Sequence, residues 1–174
     1  VRFLILILIV FSSLVHGLTN EDKLLEADLR IKKIINIYFD KNYSLAEKEL
    51  NKLIKDYPSL PKMQLLKGQI LHAKGDYQKA LDVLENVPLD EQGSEYWYFK
   101  FSSANHISDS KHKKLSKQYA LELLKNPLLS ADILHELKIY SSAKDNSDLR
   151  EKVCAFIKER FKNSHDESKV ICGK

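Results

Sequence analysis

Glycine and proline are scarce in this chain, at 5 and 4 of 174 residues. That scarcity excludes collagen-like and low-complexity chains and all-β folds rich in turns. Cysteine is rarer still. Cys154 and Cys172 are too few for a disulfide scaffold or a cysteine-rich zinc site. Charge of one sign is also missing, because 28 Lys+Arg face 24 Asp+Glu and leave a net +4. An excess that small does not make the basic stripe of a dedicated nucleic-acid binder, so no nucleic-acid partner is expected. What is present is 44% hydrophobic residues on a length that suits one domain, enough for a core.

The one long hydrophobic run lies at the start. Val1-Arg2 precedes Phe3 to Val15, and His16-Gly17 follows. A short basic start, an apolar run and small residues form the plan of a secretory signal peptide, with Val15 and Gly17 at the −3 and −1 positions. The run is shorter than the ~20 residues of a membrane-spanning helix. The expectation is a cleaved leader at 1–17 and an exported protein, periplasmic or secreted, with no stable membrane span. Losing Arg2 with the leader leaves 27 basic against 24 acidic residues, a net +3.

Apolar residues then recur at helical spacing. Tyr43, Ala46, Leu50, Leu53, Ile54 and Tyr57 share one helical stripe, before Pro58 and Pro61 break the chain. Met63, Leu66, Ile70, Leu71 and Ala73 lead to a turn at Gly75-Asp76, and Tyr77, Ala80, Leu81, Leu84 and Val87 follow. No segment sustains a two-residue alternation, so the fold class is all-α.

The pattern also repeats. Asn42-Tyr43-Ser44-Leu45-Ala46 lies 34 residues before Asp76-Tyr77-Gln78-Lys79-Ala80, and Leu50 and Leu84 keep that offset. With Pro61 as first position, Gly68, Leu71, Gly75, Tyr77, Ala80 and Leu84 stand at positions 8, 11, 15, 17, 20 and 24. This segment resembles a tetratricopeptide repeat. Gly68 and Ala80 would let two helices approach closely, Gly75 would serve the turn, and Tyr77 and Leu84 would fill the space left. The resemblance gives frames at 27–60, 61–94, 95–129 and 130–163. Ile34 replaces the small residue of the first, Leu115 replaces an alanine in the third, and the fourth lacks both small residues. It implies antiparallel helical hairpins stacked as a short right-handed solenoid over 18–163, followed by a tail at 164–174.

Chemistry-bearing motifs are sparse. His72, His106, His112, His135 and His165 show no His-Glu-x-x-His pattern, and no Gly-rich phosphate loop or Gly-x-Ser-x-Gly elbow occurs. Neither catalysis, a metal nor a cofactor is expected. Export would favour pairing of Cys154 with Cys172, which contributes roughly 3 kcal/mol by the chain-entropy account. Asn42-Tyr43-Ser44 matches a glycosylation sequon, but Asn42 also suits a helix cap. The run Lys111-His112-Lys113-Lys114 with Lys117 reads as a solvated turn and helix start.

The resemblance implies a concave groove lined by the first helix of each repeat. Its candidate partner-binding residues are Tyr38 and Phe39, then Lys62, Gln69 and His72, then Trp97 and Lys100, then Lys138. An extended or helical peptide with apolar anchors and some acidic residues would suit that lining. Ile31 and Ile35 stand where a carboxylate clamp of the family needs Lys and Asn, so that activity is not implied. The expected function is therefore an exported adaptor or scaffold for a protein partner. Leu24, Leu25, Leu29, Ile31, Ile34, Ile35, Ile37, Tyr38 and Phe39 cover more than one face of the first helix. The second expectation is accordingly a homo-oligomer or a structural subunit of an envelope complex, joined through that helix. An enzyme with its site in the groove is the third.

Overall fold

The computed structural model describes residues 20–143 and 146–160. The expected leader at 1–17 and the tail at 164–174 lie outside the described residues, as does Cys172. All regular structure within the described residues is helical, so the all-α expectation holds. The helices are α1 Asn20–Phe39, α2 Tyr43–Asp56, α3 Met63–Lys74, α4 Tyr77–Leu84, α5 Ser94–Asn105, α6 Ser110–Leu123, α7 Ala131–Ser141 and α8 Ser147–Arg160. A short 3-10 turn, Leu89–Glu91, separates α4 from α5. No described helix is long and apolar enough to cross a membrane. The described residues form two compact units that divide between Leu60 and Pro61, where the first and second frames meet.

The first unit is the α1–α2 pair. Ala27 and Ile34 recur seven residues apart on α1, and Ala46, Leu50 and Leu53 form one stripe of α2; all five are buried. This spacing returns a helix to the same face every two turns, which gives a two-helix seam. Arg30 ties the pair together at 2.8 Å from Asp56, and its guanidinium lies 5.8 Å from the Tyr57 ring.

The turn of this pair is a left-handed helix stop. Lys41 has φ 61°. The N–H of Lys41 donates to the Tyr38 carbonyl and that of Asn42 to the Ile37 carbonyl, which satisfies two end-of-helix acceptors. The Asn42 side chain then caps α2 by accepting from the Leu45 N–H at 3.4 Å, so the sequon asparagine serves as a cap.

The same device recurs 34 residues later in the second unit. Gly75 has φ 88°, its N–H donates to His72, and the Asp76 N–H donates to Leu71. Here glycine occupies the position that Lys41 fills under strain, because a Cβ in the left-handed region crowds the backbone. The α3–α4 pair is drawn together at Gly68, where a Cβ would stand 2.5 Å from Leu84 Cδ2. Leu84 itself is fully buried, so the space a side chain would take at Gly68 is already filled.

Helix α4 packs against both α3 and α5, α3 also touches α5, α5 packs on α6, and α7 on α8. The main core of this unit gathers Phe101 and Ala104 from α5, Ala120 and Leu123 from α6, Leu134 and Leu137 from α7 and Leu149, Val153 and Ile157 from α8. A smaller cluster holds Leu65, Leu84, Val87 and Tyr96. In the third frame Leu115 is only half-buried, while Ser116 beside it is fully buried. The small residue of α6 thus sits one position later than the frame expects, because the turn after α5 runs through His106, Ile107 and Ser108 rather than a left-handed stop.

The paired turns give a direct test. Lys41→Gly relieves a left-handed side chain and should stabilise the protein by roughly 0.5–1 kcal/mol. Gly75→Ala should destabilise it by a similar or larger amount, roughly 1 kcal/mol. Denaturant melts of the two variants should move in opposite directions. Equal effects of one sign would show that the two turns are not equivalent.

Candidate functional site

Helices α3, α5 and α7 of the second unit, with the start of α4, carry a set of aromatic and polar side chains. It begins in the turn set by Gly75. A tight stop at that position places Tyr77, the first residue of α4, against His72 near the end of α3, with ring centroids 5.4 Å apart. His106 caps the end of α5 and lies flat on Tyr77 at 4.4 Å with 21° between planes. Phe99, two turns earlier on α5, meets the His72 ring edge-on at 5.4 Å. Four rings from three helices thus meet around His72, a geometry that aromatic pairs favour over face-on stacking without offset.

The polar atoms of this cluster are satisfied. His72 Nδ1 and the fully buried Ser103 Oγ share a hydrogen bond of 3.0 Å. His106 Nδ1–H donates to the Ser102 carbonyl at 2.7 Å, since a carbonyl can only accept. Glu136 of α7 completes the set. It accepts from Ser102 Oγ and from the Tyr98 hydroxyl, both at 2.9 Å, and so ties α7 to α5. Burial holds the His72 imidazole below its ordinary range, the nearby His106 pushes it lower still, and Glu136 opposes both. The surface is thus aromatic-walled and hydrogen-bonded, with the Glu136 carboxylate at its α7 side.

The residues expected from sequence distribute unevenly. His72 is half-buried at the heart of this cluster. Gln69, one turn before it on α3, reaches Glu95 at 3.5 Å. Lys138 lies half-buried on α7. Lys62 is exposed, with φ 60°, and its N–H donates to both oxygens of Glu91. Trp97 is half-buried against both cores, 4.8 Å from Tyr96 and 6.0 Å from Tyr119.

Lys100 does not stand in an open groove. It is buried, its ammonium lies 4.7 Å from the Tyr119 ring and 5.3 Å from that of Tyr96, and it donates to the Tyr96 hydroxyl at 3.2 Å. Aromatic faces and one hydroxyl accommodate a cation that has left water. Tyr96 and Lys100 stand four residues apart, so this contact was legible as a helical pair.

Tyr38 and Phe39 belong to the first unit, where Tyr38 meets Phe39 at 5.7 Å and Tyr43 at 5.5 Å, and Phe39 is 73% exposed. Sequence reasoning did not anticipate Glu136, Ser102 or the stacking of His106. Ser103 was legible as the small residue of the third frame, but its bond to His72 was not. Among the described residues no group of three or more His, Cys, Asp or Glu is placed to hold a metal ion. Cys154 is half-buried on α8, and its expected pairing with Cys172 falls outside the described residues. No protein-family model, curated protein or solved structure matches this chain.

The His72 cluster predicts a pH dependence. Its folded-state pKa is depressed, so the unfolded chain takes up the proton first as pH falls. Its contribution to stability is complete above the unfolded value and drains away between roughly pH 7 and pH 5. Asp76, Asp109 and Asp148 are also held low, by neighbouring cations and N–H groups, and lose their contributions only at more acid pH. The melting temperature should fall from pH 7 to pH 5, and His72→Gln should flatten that slope. An unchanged slope in the variant would remove His72 as its origin.

Proposed function

We propose that this chain is an exported, non-catalytic adaptor of the tetratricopeptide-like kind. It binds a segment of a protein partner on the face formed by α3, α5 and α7. The leader at 1–17 directs export, and Cys154 pairs with Cys172 after it. The observation that carries the reading is the aromatic and polar surface around His72, Tyr77, Phe99 and His106, where α3 and α5 meet at the start of α4. Support also comes from the left-handed stops 34 residues apart and the close approach at Gly68, which follow the spacing of that repeat. A surface held in place by its own hydrogen bonds binds without first ordering itself, which lowers the entropic cost of recognition.

One observation favours a second reading, a homo-oligomer joined through α1. Leu24, Leu25 and Leu29 are each about 60% exposed, and exposed apolar patches of this kind mark contact surfaces. Light scattering on residues 18–174 addresses it, since a monomer at all concentrations would remove that reading.

Affinity capture from the native envelope tests the adaptor reading, with His106→Glu and Lys138→Glu as the comparison. Both side chains lie outside the core, so both variants fold. The wild-type chain should retain a defined partner that both variants lose, by about tenfold or more. Recovery of the same proteins by all three forms, or of none by the wild type, would contradict it.

A further inference from the structure

A second cleft lies where the end of α5, the start of α6 and the end of α7 meet, lined by none of the four rings around His72. It has a volume of about 680 Å³, a size that suits a bound ligand or peptide segment. Lys113, Lys114 and Lys117 of α6 line it together with Ile107, Ile139 and Tyr140. None of the described side chains that line it is acidic.

The lysines occupy an unfavourable place. Helix α6 begins Ser110-Lys111-His112-Lys113-Lys114, and its first turn holds no acidic residue. Cations near a helix N-terminus oppose the helix dipole. The cap residue Asp109 meets the helix end, accepting from the His112 N–H at 2.9 Å and from Nδ1 at 2.6 Å, and forms no ion pair with the lysines. Lys117 pairs with Asp148 at 2.6 Å. Among the described residues no carboxylate pairs with Lys113 or Lys114. Two exposed cations without a carboxylate partner, lining a cleft with no acidic side chain among the described residues, favour an anionic occupant.

The apolar part of the lining selects the kind of anion. Ile139 is 62% exposed on it and offers an apolar surface that inorganic polyphosphate does not use. Tyr140 cannot turn to stack on a nucleobase. Its ring is packed edge-on against Phe101 at 5.1 Å, and its hydroxyl is held by Ser116 Oγ and the Lys113 carbonyl. We propose that this cleft binds an acidic peptide segment of a partner protein, with carboxylates on Lys113 and Lys114 and an apolar side chain against Ile107 and Ile139. The assignment does not depend on the His72 face.

Fluorescence polarisation tests it, with a dye-labelled peptide of glutamates around a central leucine as the probe. Inorganic polyphosphate and a single-stranded oligonucleotide serve as competitors. The peptide should bind, and its affinity should fall with added salt. Lys113→Glu/Lys114→Glu should weaken it by about tenfold or more. This variant places acids near a helix N-terminus, where they suit the dipole, so it folds. Lys114→Glu alone should give an intermediate loss, and replacing the leucine of the peptide by glycine should also weaken binding. Absence of binding, an affinity unchanged in the double variant, or stronger binding of the polyphosphate or the oligonucleotide would overturn the proposal.

Discussion

The contact between Leu84 and Gly68 fixes the depth at which α3 and α4 pack, and the aromatic face follows from it. A Cβ at Gly68 would overlap the Leu84 side chain, so the two helices meet as closely as a backbone and a leucine allow. With that depth set, the turn between them must be short, and the left-handed Gly75 supplies it. A short turn delivers Tyr77 onto His72, and α5 then brings Phe99 and His106 to the same place. The surface around His72 is therefore a consequence of backbone approach inside the pair rather than of any motif on the surface.

Helix α5 carries the other half of the arrangement. Its residues Lys100 to Ala104 are all buried, yet three of the five are polar. Each finds a partner: Lys100 the Tyr96 and Tyr119 rings, Ser102 the Glu136 carboxylate, Ser103 the His72 ring. Among the described residues no buried side-chain polar atom lacks a hydrogen-bond partner. Satisfied polar groups of this kind pin helices in one register, because any slip leaves a buried donor or acceptor alone. In this way α5 holds α3 and α7 in fixed positions and presents their side chains as a single face.

Much of this was legible in the sequence. The helices, the turn at Gly75-Asp76, the cap at Asn42 and the close approach at Gly68 all follow from local spacing and from the few glycines and prolines. The turn after α5 was not, since no glycine marks it, and the frame there slipped by one residue between Leu115 and Ser116. The site was half legible. His72, Gln69 and Lys138 were placed by the groove positions that the repeat resemblance implies. Lys100 was placed in the same way, but the aromatic neighbours that bury it come from α6 as well as α5, and contacts between distant helices leave no periodic trace. The bond of Glu136 to Ser102 spans 34 residues and is invisible for the same reason.

The central claim is that a partner sits on the α3, α5 and α7 face of the second unit. Site-specific photocrosslinking in the native envelope tests it most directly. A benzophenone side chain at position 106 or 69 should yield a crosslinked product with one discrete protein. The same group at position 152, on the exposed side of α8, should not. Equal crosslinking from all three positions, or a product from position 152 alone, would contradict the account.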